Sequence, residues 1–243
     1  TPEPTPEPTP EPTPEPTPVS PADEKLIAEA IFEKAVRKKL NKPEGEFTEA
    51  DLGKITHLNF YPPNFTDAGL NEVAKLKNLE GLNLAGTKIT DASLKEVAQL
   101  PNLNRLNLDR TQITDAGLKE VAKLQNLKEL WLEDTKITDV GLKEVAQLTN
   151  LNRLTLSGTQ ITDAGLIGVA KVQNLTILNL DRTQITDAGL KEVAKLQKLT
   201  SFALQGTQIT DVGLKDLAKL QNLYELGLSH TKITDVGLKD LAK

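Results

Sequence analysis

Few side chains in this sequence are able to do covalent chemistry. There are two histidines, His57 and His230, and no cysteine or methionine. Without cysteine there are no disulfide staples, thiolate metal sites or thiol nucleophiles, and the redox compartment stays open. The histidines fall in the first and last of a series of repeated units, roughly 34 Å apart at one strand spacing per unit, so they cannot work as a pair. Ser229 precedes His230 with no acid beside it to orient an imidazole, and no catalytic residue is expected. Aspartates recur behind a threonine at Asp67, Asp91, Asp115, Asp139, Asp163, Asp187, Asp211 and Asp235. Each is expected to complement the dipole of its own helix; no compact set of oxygen ligands is spelled, so neither a metal nor a cofactor is expected.

The pattern that places these residues is a repeat. The Thr-Asp pair recurs every 24 residues from Thr66 to Thr234 without a slip, and that regularity predicts a solenoid. In one unit, "LNRLNLDRTQIT", Leu106 and Leu108 have the period of two that puts both side chains on one face of a short strand. Thr114 or Asp115 then caps a helix whose Leu118, Val121 and Ala122 share a face. Neither element can bury its apolar face alone, so copies stack, with strands paired in parallel at about 4.8 Å.

The unit LxxLxLxxTxITDxGLxxVAxLxNL resembles a bacterial leucine-rich repeat of the 24-residue, helix-bearing type found in large surface proteins, over roughly residues 55–243. The resemblance implies an α/β solenoid with parallel strands on a concave face and short helices on a convex one. Where that family has asparagine, this chain has Thr87, Thr111, Thr135, Thr159, Thr183, Thr207 and Thr231. Their hydroxyls are expected to form a ladder towards neighbouring turns.

Three segments are expected: a tail over residues 1–19, a helical cap over 20–54, and eight turns over 55–243. The tail repeats Thr-Pro-Glu-Pro, which favours an extended polyproline stalk; docking on a sheet edge and O-glycosylation are alternatives. It carries four glutamates, so the net charge of −5 leaves 29 basic against 30 acidic residues on the rest. That near-neutral body excludes an electrostatic case for nucleic acid or an anionic membrane, and no apolar run is long enough to insert. The chain opens in phase on a repeat unit without methionine, so an upstream segment is expected to have been removed or left out. In the cap, Ser20 and Pro21 mark a helix start, Thr48 to Asp51 a capping box, and Leu26, Ile27, Ala30, Ile31, Val36 and Leu40 the face that covers the stack. Phe60, Phe65 and Pro63 make the first turn an end piece.

The two faces diversify differently. On the helix side Lys95, Lys119, Lys143, Lys191, Lys215 and Lys239 hold one position, whereas the strand position before the inner leucine runs His57, Gly81, Arg105, Glu129, Arg153, Ile177, Ser201, Glu225. Neither is constrained by the core, so the varied strand face is the working surface, as the resemblance also implies. The column beside it carries Asn107, Thr155 and the only tryptophan, Trp131, expected to stand exposed. Around it lie Arg105, Asp109, Glu129, Glu133 and Arg153, with Arg110, Asp134, Asp181 and Arg182 on the rim. These are the expected contacts for a protein or glycan, in an extracellular or cell-envelope setting. Alternatively, Arg105, Glu129 and Arg153 form a charge ladder under Trp131.

A reading of a different class is self-assembly. The strand from Leu223 through Leu226 to Leu228 and the helix from Asp235 are followed by nothing that caps the stack. The chain is cut at a repeat boundary, the edge is tolerated with help from Lys239, Asp240 and Lys243, or another chain occupies it. Ile167, apolar at a lysine position beside Gly168, is a second contact candidate. Asn64 and Asn174 match the N-glycosylation pattern but are expected to be structural.

Overall fold

The computed structural model describes residues 21–60 and 64–241. The tail, Ser20, Pro63, Lys243 and the side chains of Leu26, Ile27 and Asp240 lie outside the described residues. Eight strands of three residues each stand in one parallel sheet in chain order: β1 (His57–Asn59), β2 (Gly81–Asn83), β3 (Arg105–Asn107), β4 (Glu129–Trp131), β5 (Arg153–Thr155), β6 (Ile177–Asn179), β7 (Ser201–Ala203) and β8 (Glu225–Gly227). Every residue pairs with the one 24 positions later, so the repeat sets the register directly.

Before the repeats stand α1 (Pro21–Leu40) and α2 (Glu49–Leu52); on the convex side run α3 (Leu70–Val73), α4 (Leu94–Val97), α5 (Asp115–Val121), α6 (Asp139–Val145), α7 (Leu166–Val169), α8 (Asp187–Val193), α9 (Asp211–Leu217) and α10 (Asp235–Leu241). The convex helices are one or two turns long, too short to persist without packing. What holds them is the continuous core between the layers. In the third turn Leu103, Leu106, Leu108, Ile113, Leu118, Val121 and Leu124 are all buried, and the same positions are buried in the next three turns. Each such side chain contributes about 1.5–3 kcal/mol.

Polar ladders tie turn to turn. From Asp67 to Asp211, each aspartate accepts from the backbone N–H of the threonine 23 residues on at 2.7–2.9 Å, and from its hydroxyl at 2.5–2.7 Å. The aspartates therefore bridge forward to the next turn, a role added to the expected one, since Asp115, Asp139, Asp187 and Asp211 also stand in the first turn of their own helices. At α5, α6, α8 and α9, the Oγ1 of Thr114, Thr138, Thr186 and Thr210 in turn accepts from the second N–H of its own helix, as Thr114 does from Ala116 at 3.3 Å, so Thr114 and not Asp115 is the cap. On the opposite flank, Asn78, Asn102, Asn126, Asn150, Asn174 and Asn222 donate to carbonyls of the preceding turn at 2.8–3.0 Å. Asn174 is committed in this way, as its structural reading requires.

The threonines that replace the family's asparagine are corrected too. Thr87, Thr111, Thr135, Thr159, Thr183, Thr207 and Thr231 each donate to the carbonyl three residues earlier in their own turn, at 2.5–2.7 Å. A hydroxyl on so short a stem closes its own bend and does not reach the next one.

At the amino end, α1 packs on the first turn, with Phe32 and Val36 buried, Ile31, Ala35 and Leu40 half-buried and Ala30 exposed. Phe32 thus joins the face expected from the other apolar positions. Phe60 and Phe65 stack at 4.0 Å beneath it, and the capping box at Thr48 and Asp51 is present. At the other end, β8 pairs with β7 alone among the described residues. Leu223, Leu226 and Leu228 are partly buried against the previous turn, and Tyr224 is 80% exposed. The expected strand contracts to Glu225–Gly227.

Candidate functional site

The concave sheet brings the expected residues together on β3, β4 and β5. Arg105, Glu129 and Arg153 stand side by side in register. Arg105 Nε donates to Glu129 Oε1 at 2.8 Å, and Arg153 Nε lies 3.4 Å from Oε2. The charge ladder is thus real, with two guanidinium groups on one carboxylate. The Arg153 guanidinium also sits 6.0 Å from the Trp131 ring centroid. Trp131 is half-buried, not fully exposed as expected, because the neighbouring strands flank its ring.

A second cluster lies on the rim. Glu133 Oε1 receives Arg110 Nη2 and Arg182 Nη2 at 3.2 Å each, and Asp134 faces the same two groups at 3.5 Å. Arg182 reaches back across a whole turn because Gly158 intervenes, with no side chain to block it. Arg110, Asp134 and Arg182 all adopt positive φ, at 55°, 51° and 54°, the position held by Gly86, Gly158 and Gly206 in other turns. An L-residue there carries strain of about 1 kcal/mol or more. The Arg110 guanidinium is held still more firmly protonated by Glu133, with Asp134 second.

Asn107 and Asp109 turn out to serve the backbone. In β2, β3 and β6, Asn83, Asn107 and Asn179 accept the N–H two residues on, at 3.0, 2.8 and 2.8 Å. Where Trp131 and Ala203 replace that asparagine, the preceding turn supplies the acceptor: Asp109 Oδ1 takes the N–H of Glu133 at 2.7 Å, and Asp181 Oδ1 that of Gln205 at 2.6 Å. Burial raises both carboxyls above the usual range, against the pull of those N–H groups. The order Asn-Leu-Asp before Trp-Leu-Glu and before Ala-Leu-Gln is plain in the sequence, yet only the stacking of turns gives it meaning. Thr155, also at the asparagine position, leaves its buried Oγ1 without a partner among the described residues.

A hollow of about 330 Å³ opens beside Trp131, lined by His57, Asn59, Gly81, Leu82, Asn83, Arg105 and Asn107. Sequence reasoning does not single out His57, Gly81 or Asn83 as a group. Ile167, by contrast, lies 57% exposed on the convex side, apart from this site. Gly168 beside it is not a mere weak point, since a Cβ there would meet Leu142 O at 2.5 Å.

Two repeat patterns match the chain: one described as "Leucine Rich repeats (2 copies)" over residues 77–120, 101–146 and 125–168, and one described as "Leucine Rich repeat" over 173–194, 195–218 and 219–242. The solved structure of internalin C2 from Listeria monocytogenes is 31% identical, with a TM-score of 0.72, over 90% of this chain and 92% of that one. The chain belongs to the leucine-rich repeat family. A leucine-rich repeat protein of Leptospira interrogans shares the fold at 23% identity and a TM-score of 0.59, over 79% of this chain and 60% of that one. No curated protein sequence matches. Leucine-rich repeats are typically protein-binding modules, usually without enzymatic activity. No described helix is long and apolar enough to cross a membrane, and no group of metal-ligating side chains occurs among the described residues.

Proposed function

We propose that this leucine-rich repeat protein is a non-enzymatic recognition module of the bacterial surface or envelope, holding a protein partner on its concave sheet with Trp131 at the centre. One observation carries the reading. Trp131 occupies a position where asparagine would brace the turn, and the brace it displaces is supplied by Asp109 from the turn before. A half-exposed indole that displaces a bracing asparagine and fills no core position is best accounted for by contact with a partner, where tryptophan is strongly enriched. The contrast between lysine monotony on the helices and variety on the strands supports the same face. The bacterial setting rests on likeness to proteins of Listeria and Leptospira. The Thr-Pro-Glu-Pro tail suits a spacer that holds the module away from an anchor.

The test uses the tryptophan itself, the only one in the chain. Purified surface proteins and glycans are screened by Trp131 fluorescence, and each binder is remeasured against Trp131→Ala and Lys143→Ala by calorimetry. Loss of at least about thirtyfold in affinity for Trp131→Ala, with Lys143→Ala unchanged, is expected. The opposite ranking defeats the proposal, and binders confined to glycans replace the protein partner by a sugar.

A further inference from the structure

We infer that the hollow beside Trp131 takes a carboxylate, presented by an acidic side chain of the protein partner. The inference rests on concave-face recognition as proposed above and adds the chemistry of the group recognised.

Asn83 and Asn107 both line the hollow, and each accepts a backbone N–H through Oδ1, from Ala85 at 3.0 Å and Asp109 at 2.8 Å. A backbone N–H can only donate, so these bonds fix which end of each amide is oxygen and leave NH₂ as the free end. Arg105 commits Nε to Glu129 at 2.8 Å, and its two terminal nitrogens have no partner among the described residues. The Trp131 indole N–H is likewise unpartnered there, and His57 engages only Nδ1, with Thr56 at 3.1 Å, so its Nε2 donates in the tautomer whose Nδ1 accepts the Thr56 hydroxyl. Asn59 alone among the lining side chains keeps an uncommitted amide oxygen, and no aspartate or glutamate lines the space.

A wall of donors with a guanidinium in it is satisfied by an acceptor-rich anion. Charge agrees: Arg105 and Arg153 share the single carboxylate of Glu129, which leaves one positive charge over on the ladder. The Trp131 ring forms an apolar side wall, which strengthens a charge-assisted bond by keeping water off it. A volume of about 330 Å³ is at the small end for a separate ligand and ample for one side chain anchored from a larger surface.

The experiment is a titration of the full chain, observed by NMR at the Trp131 indole N–H and the Asn83 and Asn107 side-chain amides. The probes are acetyl-Gly-Glu-Gly-amide, its glutamine counterpart, and glucuronate. Saturating shifts of those signals with the glutamyl peptide are expected, at least about tenfold weaker with the glutamine peptide and in Arg105→Gln, and unchanged in Lys143→Gln. Arg105 is exposed, and Glu129 keeps Arg153, so the variant is expected to stay folded. Equal shifts with the two peptides overturn the carboxylate preference while leaving concave recognition standing. Shifts confined to the helix side overturn both. Absence of shifts, or a clear preference for glucuronate over the peptide, overturns the acidic side chain as occupant.

Discussion

Asp109 Oδ1 accepts the backbone N–H of Glu133 at 2.7 Å, from one turn of the solenoid to the next. Glu133 lies two residues after Trp131, so this bond does for its turn what asparagine does within the turns of Asn83, Asn107 and Asn179. The carboxylate expected to meet a ligand also supports the turn in which a tryptophan stands.

That support predicts an energetic coupling. Asp109→Ala leaves the Glu133 N–H without its acceptor and should cost about 1–2 kcal/mol in urea denaturation. In a Trp131→Asn background the new asparagine takes over the bond, and the same substitution should cost about 1 kcal/mol less. Additive effects would show that the two positions do not share the brace.

The same aspartate predicts a pH effect. Burial raises its folded-state carboxyl above the unfolded value, so its contribution favours the fold below that raised pKa and is lost as pH rises through it. Asp109→Asn keeps an acceptor and removes the ionisation. The stability of the variant relative to the parent should therefore be more favourable at pH 7 than at pH 4, read from urea midpoints at both. An unchanged difference would place the titration elsewhere.

The forward ladder predicts a large local cost for a small change. Thr138→Val keeps the shape but removes the hydroxyl that donates to Asp115 at 2.6 Å and caps α6 through Val140 at 3.3 Å. A loss of about 1–2 kcal/mol is expected in thermal or urea unfolding. A value near zero would mean that the backbone N–H of Thr138, at 2.8 Å, holds Asp115 by itself.

Gly168 departs from the glutamate or aspartate found at its position in the other repeats, and restoring that residue is expected to harm the fold. In Gly168→Glu the added Cβ meets Leu142 O at 2.5 Å, so α6 and α7 must move apart. About 1–3 kcal/mol should be lost, measured by the same unfolding. Stabilisation would show that α7 can adopt the two-turn form of its neighbours.

Much of the architecture is legible in the spacing of the leucines. Leu106, Leu108, Ile113 and Leu118 are buried as that spacing requires, and the 24-residue period becomes the strand register without adjustment. Such features depend on periodic burial, which a linear pattern records. Phe32 escapes this kind of reading because a cap helix has no repeat to compare with.

The sequence alone settles the solenoid, its inner leucines and the face on which variety gathers, since each follows from local spacing. Tertiary structure decides which polar groups on that face remain free. Asp109 is held by a backbone N–H 24 positions away, and Glu133 by Arg182, 49 positions away across Gly158. Those partners meet only when turns stack, because a hydrogen bond acts over about 3 Å of space whatever the distance along the chain.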